Sequence, residues 1–260
     1  MGLGNYLPPE ISRKVVPRLP RRWQRFTSAP TWAEAEATSV GYVSAPVALP
    51  STKALPTQPL AGNQTALVAA FGVALAAREP RSGPVSVVDF GGYDGKHADL
   101  IQHLLPQLAF DWVVVDLPSV VEVMSARSRP GLAFVSDPSA ALEAGPDVIL
   151  ASASLNYIAN PTDMLRVMCA HGSFVVLTRL PLWPIERHTA AVQHTQRRPV
   201  DISYPTWFFS EQMFMSEIPL ESEVLFDFVC PDDRAGFAGH YSTYRGLVIA
   251  TNRGRAWFRS

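Results

Sequence analysis

The sequence predicts an α/β fold, a parallel sheet covered by helices on both faces, and three observations carry that expectation. Short apolar runs recur from residue 85 onward, and each is followed by a segment that reads as a helix. The first run enters the glycine turn Phe90-Gly91-Gly92-Tyr93-Asp94-Gly95, and the second ends on Asp116. A strand, a glycine turn, a helix and a second strand closing on an acid make a nucleotide-binding half-unit. The turn admits a ligand close to the backbone, and the carboxylate can take two ribose hydroxyls.

The elements follow in order. Residues 1–60 carry no sustained strand pattern, and prolines at 8, 9, 17 and 20 keep any helix there short. Thr31 with Glu34 at the third helical position reads as a capped helix start, closed near Gly41, and a second helix is expected over 63–77. Residues 1–80 therefore read as a helical cover on a main domain spanning 81–260. Within that domain strands are expected at 86–90, 112–116, 132–135, 147–151 and 174–178. Helices are expected between them at 97–105, 119–126, 139–143 and 162–169, the last with Pro161 near its start and Gly172 just past its end. Residues 180–207 read as a long polar connection interrupted by prolines, followed by a short helix over 210–216. Two strands, 223–229 and 244–250, flank a turn-rich stretch and close the chain.

Composition bounds the function. The chain has 260 residues, 47% of them apolar, enough for a substantial core in one large domain. Its 22 basic and 23 acidic side chains nearly cancel, which gives no electrostatic case for nucleic acid or an anionic membrane. The longest apolar run, 65–77, is too short to span a bilayer and meets Arg78 and Glu79 at once. The first residues lack the profile of a signal peptide. Two cysteines, Cys169 and Cys230, sit in apolar contexts, as reduced buried thiols in a cytoplasmic chain would. The 23 prolines fall mostly between elements and imply short, stiff connections.

Four successive strand ends carry polar groups: Asp89, Asp116, Ser136-Asp137 and Ser152 to Ser154. Open sheets bind ligands at those ends. The plain alternative is that each carboxylate caps the following helix. Asp89 is unusual inside an apolar run and needs a partner or a ligand. The glycines depart from the spacing of a dinucleotide fingerprint, which weighs against an NAD-dependent oxidoreductase.

These residues also carry a resemblance. VVDFGGYDG and VVVDLPSVV resemble the first two motifs of class I S-adenosylmethionine-dependent methyltransferases. FTSAPTWAEAEA, ASASLNYIANP, LTRLPL, SYPTWFFSEQMF and RGLVI extend the likeness over roughly residues 27–250. They point to methyltransferases found among bacterial polysaccharide and secondary-metabolite genes. The resemblance implies a Rossmann-like class I methyltransferase fold: a seven-stranded, mostly parallel sheet whose last strand is antiparallel and inserted beside the fifth. It implies S-adenosylmethionine as cofactor. Asp89, Gly91 and Gly92 would line its amino acid end, Gly95 would let the helix approach, and Asp116 would take the ribose. Leu117, Ser136 and Asp137 would flank the adenine, and Ser152 would lie near the sulfonium. Tyr93-Asp94 departs from the commoner residues of that motif, and Asp116 replaces the glutamate frequent in the closer group.

Methyl transfer needs alignment and, for a hydroxyl acceptor, removal of a proton. The 180–207 connection is the natural cover for that site, with His188, His194 and Asp201 as general-base candidates and Arg179, Tyr204 and Trp207 as substrate contacts. No metal is expected, because no CxxC, HExxH or carboxylate-rich loop is present. The expected acceptor is a small polar metabolite or sugar-derived hydroxyl. Methylation at nitrogen or carbon and non-catalytic cofactor binding are the alternatives, and a homodimer is left open.

Overall fold

The computed structural model describes residues 25–41, 64–78, 83–197 and 200–259. Strand β1 (Arg25–Ser28) and helices α1 (Trp32–Thr38) and α2 (Gln64–Ala76) come first. The alternating run follows: β2 (Val85–Phe90), α3 (Lys96–Leu104), β3 (Phe110–Val115), α4 (Pro118–Met124) and β4 (Leu132–Val135). It continues with α5 (Ser139–Glu143), β5 (Val148–Ser152), α6 (Pro161–His171) and β6 (Phe174–Leu180). The last part holds β7 (Leu182–Trp183), β8 (Thr189–Arg197), β9 (Val200–Ser210), α7 (Glu211–Glu217), β10 (Glu223–Phe237), β11 (His240–Ala250) and α8 (Asn252–Arg259).

The larger sheet has seven strands in the order β10-β11-β6-β5-β2-β3-β4. Strands β6, β5, β2, β3 and β4 are mutually parallel, whereas β11 runs antiparallel between β6 and β10. This is the arrangement that the resemblance implies, seven strands with an antiparallel strand inserted beside the fifth parallel one.

Alternation along each strand feeds two cores. Val87, Trp112, Val114, Leu150 and Val176 face α2, α3 and α4. Val88, Val115, Ile149, Val175 and Leu177 face α6 and α7. Both faces being covered explains why the sequence shows apolar runs there. Cys169 and Cys230 are buried thiols not joined in a disulfide, and burial pushes the Cys169 thiol up to about 11.

The expected cap at Thr31 forms, its hydroxyl accepting from the Glu34 amide at 3.2 Å. The reading of 180–207 needs correction. That stretch contributes β7, β8 and most of β9 to a second sheet, ordered β1-β8-β9-β7. Its inward residues include Gln193 and Thr206, buried yet polar, so no apolar alternation marks the strands. Pro205 sits where β9 has β8 on one side only, a position that tolerates a missing N–H. Residues 25–28, expected to lack a strand, pair with β8 through Thr27↔Val192 and its neighbours. Of the N-terminal 80 residues, 1–24, 42–63 and 79–80 lie outside the described residues.

The β10–β11 hairpin also outruns its sequence signal. Irregular registers at Val224/Phe226 and Cys230/Arg234 carry it past residue 229 to a turn at Ala238-Gly239. Its overhanging arm holds the second sheet: Phe237 stacks on Phe208 with centroids 4.0 Å apart, and Trp183 packs edge-on against Phe208 and Tyr244.

Helix α2 meets the sheet most closely at Gly72, where a Cβ would overlap Val176 Cγ2. Gly72→Ala should therefore lower stability by about 1–3 kcal/mol, because over-packing outweighs the ~1 kcal/mol that alanine gains inside a helix. With Val176→Ala beneath it, the same change should be neutral or stabilising. Chemical denaturation of the four variants checks this, and an equal loss in both backgrounds would place the cost elsewhere.

Candidate functional site

The chain leaves β2 toward β3 on one side and β5 toward β6 on the other, so the strand order reverses between the neighbours β2 and β5. A crevice opens beyond their carboxyl ends. Three residues other than glycine hold a left-handed backbone at such ends: Tyr93 after β2 (φ 50°), Ala153 after β5 (φ 52°) and Arg179 in β6 (φ 58°). Each costs about 1–3 kcal/mol and persists only where the surroundings enforce it. At Arg179 the effect is visible. Regular alternation would send Leu180 to the α2 face, yet Leu177 and Leu180 join the same core. The left-handed turn inverts the pattern and directs Arg179 toward the α3 side, where its charge is felt by His97.

Asp89, the last residue but one of β2, has no solvent exposure. Its Oδ2 accepts from His97 Nδ1 at 3.1 Å and from Trp112 Nε1 at 3.4 Å, while its Oδ1 is buried without a partner among the described residues. A carboxylate only accepts, so the His97 proton must sit on Nδ1. Burial opposes charge on His97, but the Asp89 carboxylate outweighs it through charge and hydrogen bond, helped by Asp94. The imidazole is thus held above its ordinary pKa.

The glycine turn is shaped by contacts on both flanks. Gly91 has φ +72°, and a Cβ there would lie 2.5 Å from the Ser154 Cβ. Ser154 in turn donates from Oγ to the Phe90 carbonyl at 2.6 Å, which ties the β5 end to the turn. At Gly92 a Cβ would lie 2.5 Å from Asp89 Cγ, so the backbone passes directly over the carboxylate. Gly95 caps α3 with φ +70°, its α-carbon close against Phe134. Asp94 turns to Lys96, accepting from its amide and pairing with its ammonium at 2.9 Å.

Asp116, just past β3, holds the turn from the other side. Its Oδ2 accepts from the Tyr93 amide at 2.9 Å and its Oδ1 from the Leu117 amide at 2.8 Å. Burial raises its pKa, the two amides oppose that, and the Asp89 charge adds to it. The side chain is half-buried, and each oxygen keeps a second lone pair. Leu117 is exposed beside it. Ser136 is exposed at the end of β4. Asp137 lies one residue before the N-cap Pro138 of α5, and its Oδ1 accepts from the Ser139 amide and hydroxyl, which lowers its pKa. Ser152 Oγ accepts from Thr178 Oγ1 at 2.8 Å.

The second sheet is tied to the turn that follows β5. Asn156 Nδ2 donates to Thr206 Oγ1 at 2.9 Å, Tyr157 donates from its hydroxyl to Gln193 Oε1 at 2.6 Å, and Trp207 Nε1 donates to the Ile158 carbonyl. Asn156 Oδ1 is buried and without a partner among the described residues. Trp207 also stacks on Trp32 at 5.4 Å, so it packs α1 against the sheet. Tyr204 lies opposite Gln193 on β9 and shares its face of the sheet.

Two of the general-base candidates are placed elsewhere. His188 accepts from the Ser210 amide through Nδ1 at 3.0 Å and faces Glu217 with Nε2 at 3.3 Å, so both ring nitrogens are engaged. It ties the end of β9 to α7. His194 shares the strand face of Ala190 and Val192, which pack on α1, and it contacts Thr27 on β1. That face is opposite the one bearing Gln193 and Thr206. Asp201 falls in β9, and its side chain lies outside the described residues. The sequence reading missed Asn156, Gln193 and Thr206, which carry no motif of their own. It gave His97 no role, although a histidine two residues past Gly95 is placed to look back at Asp89. Among the described residues no cluster of His, Cys, Asp and Glu could hold a metal, and no helix is long and apolar enough to cross a membrane.

Replacing His188 by alanine should lower stability by about 1–3 kcal/mol, since the Ser210 amide loses its acceptor. Thermal unfolding checks this. An unchanged midpoint with a large loss of turnover would restore the general-base expectation.

No protein-family model matches the chain, and no curated protein matches it. Solved structures do. The N-terminal domain of EvdMO1 with S-adenosylhomocysteine (SAH) bound is 13% identical, with 76% of this chain and 82% of that one covered and a TM-score of 0.45. The glycopeptide N-methyltransferase MtfA, complexed with S-adenosylmethionine, is 15% identical over 72% of this chain and 93% of that one, with a TM-score of 0.46. Magnesium protoporphyrin IX methyltransferase from Synechocystis PCC 6803, with SAH bound, is 12% identical over 77% and 90%, also at 0.46.

Proposed function

We propose that this chain is an S-adenosylmethionine-dependent methyltransferase acting on a small polar acceptor, with a hydroxyl oxygen as the preferred nucleophile. One observation carries the reading: a crevice at the strand-order reversal of a class I sheet, with a buried, half-satisfied carboxylate on its floor and a half-exposed carboxylate one strand away. A buried carboxylate oxygen left unpaired costs more than the 1–3 kcal/mol of a neutral group, so a ligand that lends it positive charge is favoured.

The residues fit such a cofactor. Asp116 would accept from the ribose hydroxyls with its remaining lone pairs, beside Leu117 on the adenine side. Gly91 and Gly92 would let the amino acid end lie on the backbone above Asp89, with the Ser152–Thr178 hydroxyl pair alongside. When bound, the cofactor supplies a methyl group on a sulfonium for in-line displacement. The second sheet closes over the β5 end with the neutral polar groups Gln193, Thr206 and Tyr204, which suits a hydroxylated acceptor better than an ionised one. Alignment under that cover, with water excluded, supplies most of the acceleration such a transfer needs.

Calorimetry with SAH, S-adenosylmethionine and NAD tests the reading. The first two should bind and NAD should not. NAD binding without SAH binding would overturn it in favour of an oxidoreductase, and cofactor binding without turnover on any acceptor would favour a non-catalytic binder. Asp116→Ala should weaken SAH binding by roughly 10- to 1000-fold, the loss of one or two charge-assisted hydrogen bonds, while the fold survives. Parent-like affinity in that variant would remove Asp116 from the ribose site.

A further inference from the structure

We propose that His97, aimed by Asp89 and flanked by Arg179, is the anion-binding group of the crevice, and that its Nε2–H takes the carboxylate of the ligand's α-amino acid end. The proposal rests on the methyltransferase reading and deepens it, because it makes cofactor affinity depend on the protonation of one side chain.

The geometry leads there in steps. Asp89 Oδ2 fixes the proton of His97 on Nδ1 and so fixes the ring's orientation. Nε2 has no partner among the described residues and is the ring's remaining polar atom, on a side chain that is 25% exposed. The charged groups facing the ring are Asp89 from β2, Asp94 from the glycine turn and Arg179 from the end of β6. Helix α2, which packs on α3, carries no ionisable side chain. The sheet order then assigns the ends of the ligand. With the ribose on Asp116 beyond β3, the amino acid tail extends over β2 toward β5 and β6. There it meets a carboxylate and two cationic groups. The Asp89 charge suits the tail's ammonium, and His97 with Arg179 suits its carboxylate, so the floor matches a zwitterion.

The pH dependence follows from the tautomer. With its one remaining proton held on Nδ1 by Asp89, a neutral His97 presents a lone pair at Nε2 and repels a carboxylate. Only the imidazolium donates there. The Asp89 pairing holds His97 above its ordinary pKa, so full affinity is expected below that raised value, with loss as pH rises through it.

The test compares SAH with its decarboxylated analogue, S-adenosyl-3-thiopropylamine, in the parent and in His97→Gln, whose amide can still donate to Asp89. The parent should prefer SAH by roughly 10- to 100-fold, the worth of one charge-assisted hydrogen bond. In His97→Gln the preference should shrink to about threefold or less, with analogue affinity nearly unchanged and thermal unfolding like the parent's. The fall in SAH affinity between pH 6 and pH 9, relative to the analogue, should vanish in the variant. If the parent binds both ligands equally, or if the preference survives in a folded His97→Gln, the assignment of His97 is wrong while the methyltransferase reading stands. If the parent binds neither ligand, that reading itself fails.

Discussion

Much of the crevice depends on burying the Asp89 carboxylate under Gly92. A carboxylate with no solvent exposure is tolerable only if its oxygens find donors, and here one oxygen has His97 and Trp112 while the other has none among the described residues. The surrounding features serve that arrangement. Gly92 must lack a side chain for the backbone to cross the carboxylate, and Gly91, left-handed at φ +72°, must lack one to clear Ser154. Asp116 holds the turn down through the Tyr93 amide, and Trp112 lends its indole from the core. A fold optimised for stability alone would place an apolar residue at 89. The half-satisfied charge is better explained as a site kept ready for a cationic ligand group.

The second sheet is the chain's addition to that frame. It hangs on the overlong β10–β11 hairpin through the Phe208–Phe237 stack and reaches the turn after β5 through Asn156, Tyr157 and Trp207. These contacts fix the cover directly above the β5 end. Asn156 Oδ1, without a partner among the described residues, lies in the same layer. On the proposed function, acceptor choice would belong to residues 155–157 and to β8 and β9 rather than to the larger sheet.

The central sheet was legible because its strands are buried on both faces and separated by proline and glycine stops, so run length alone located them. Asp89 and Asp116 were legible because a carboxylate ending an apolar run is chemically conspicuous. The second sheet was not. Gln193, Thr206 and Ser203 are buried polar residues, and Pro205 argued against a strand. His188 and His194 looked free because their partners, Ser210, Glu217 and Thr27, are remote or unremarkable in sequence. His97 could have been found from its position in the first turn of α3, facing back along β2.

The most direct measurement of the central claim is a crystal structure with SAH. The account places the ribose hydroxyls on Asp116, the amino acid tail over Gly91 and Gly92, and its carboxylate within hydrogen-bonding distance of His97 Nε2. A ligand lying with its ribose away from Asp116, or with its carboxylate turned from His97 toward solvent, would contradict it.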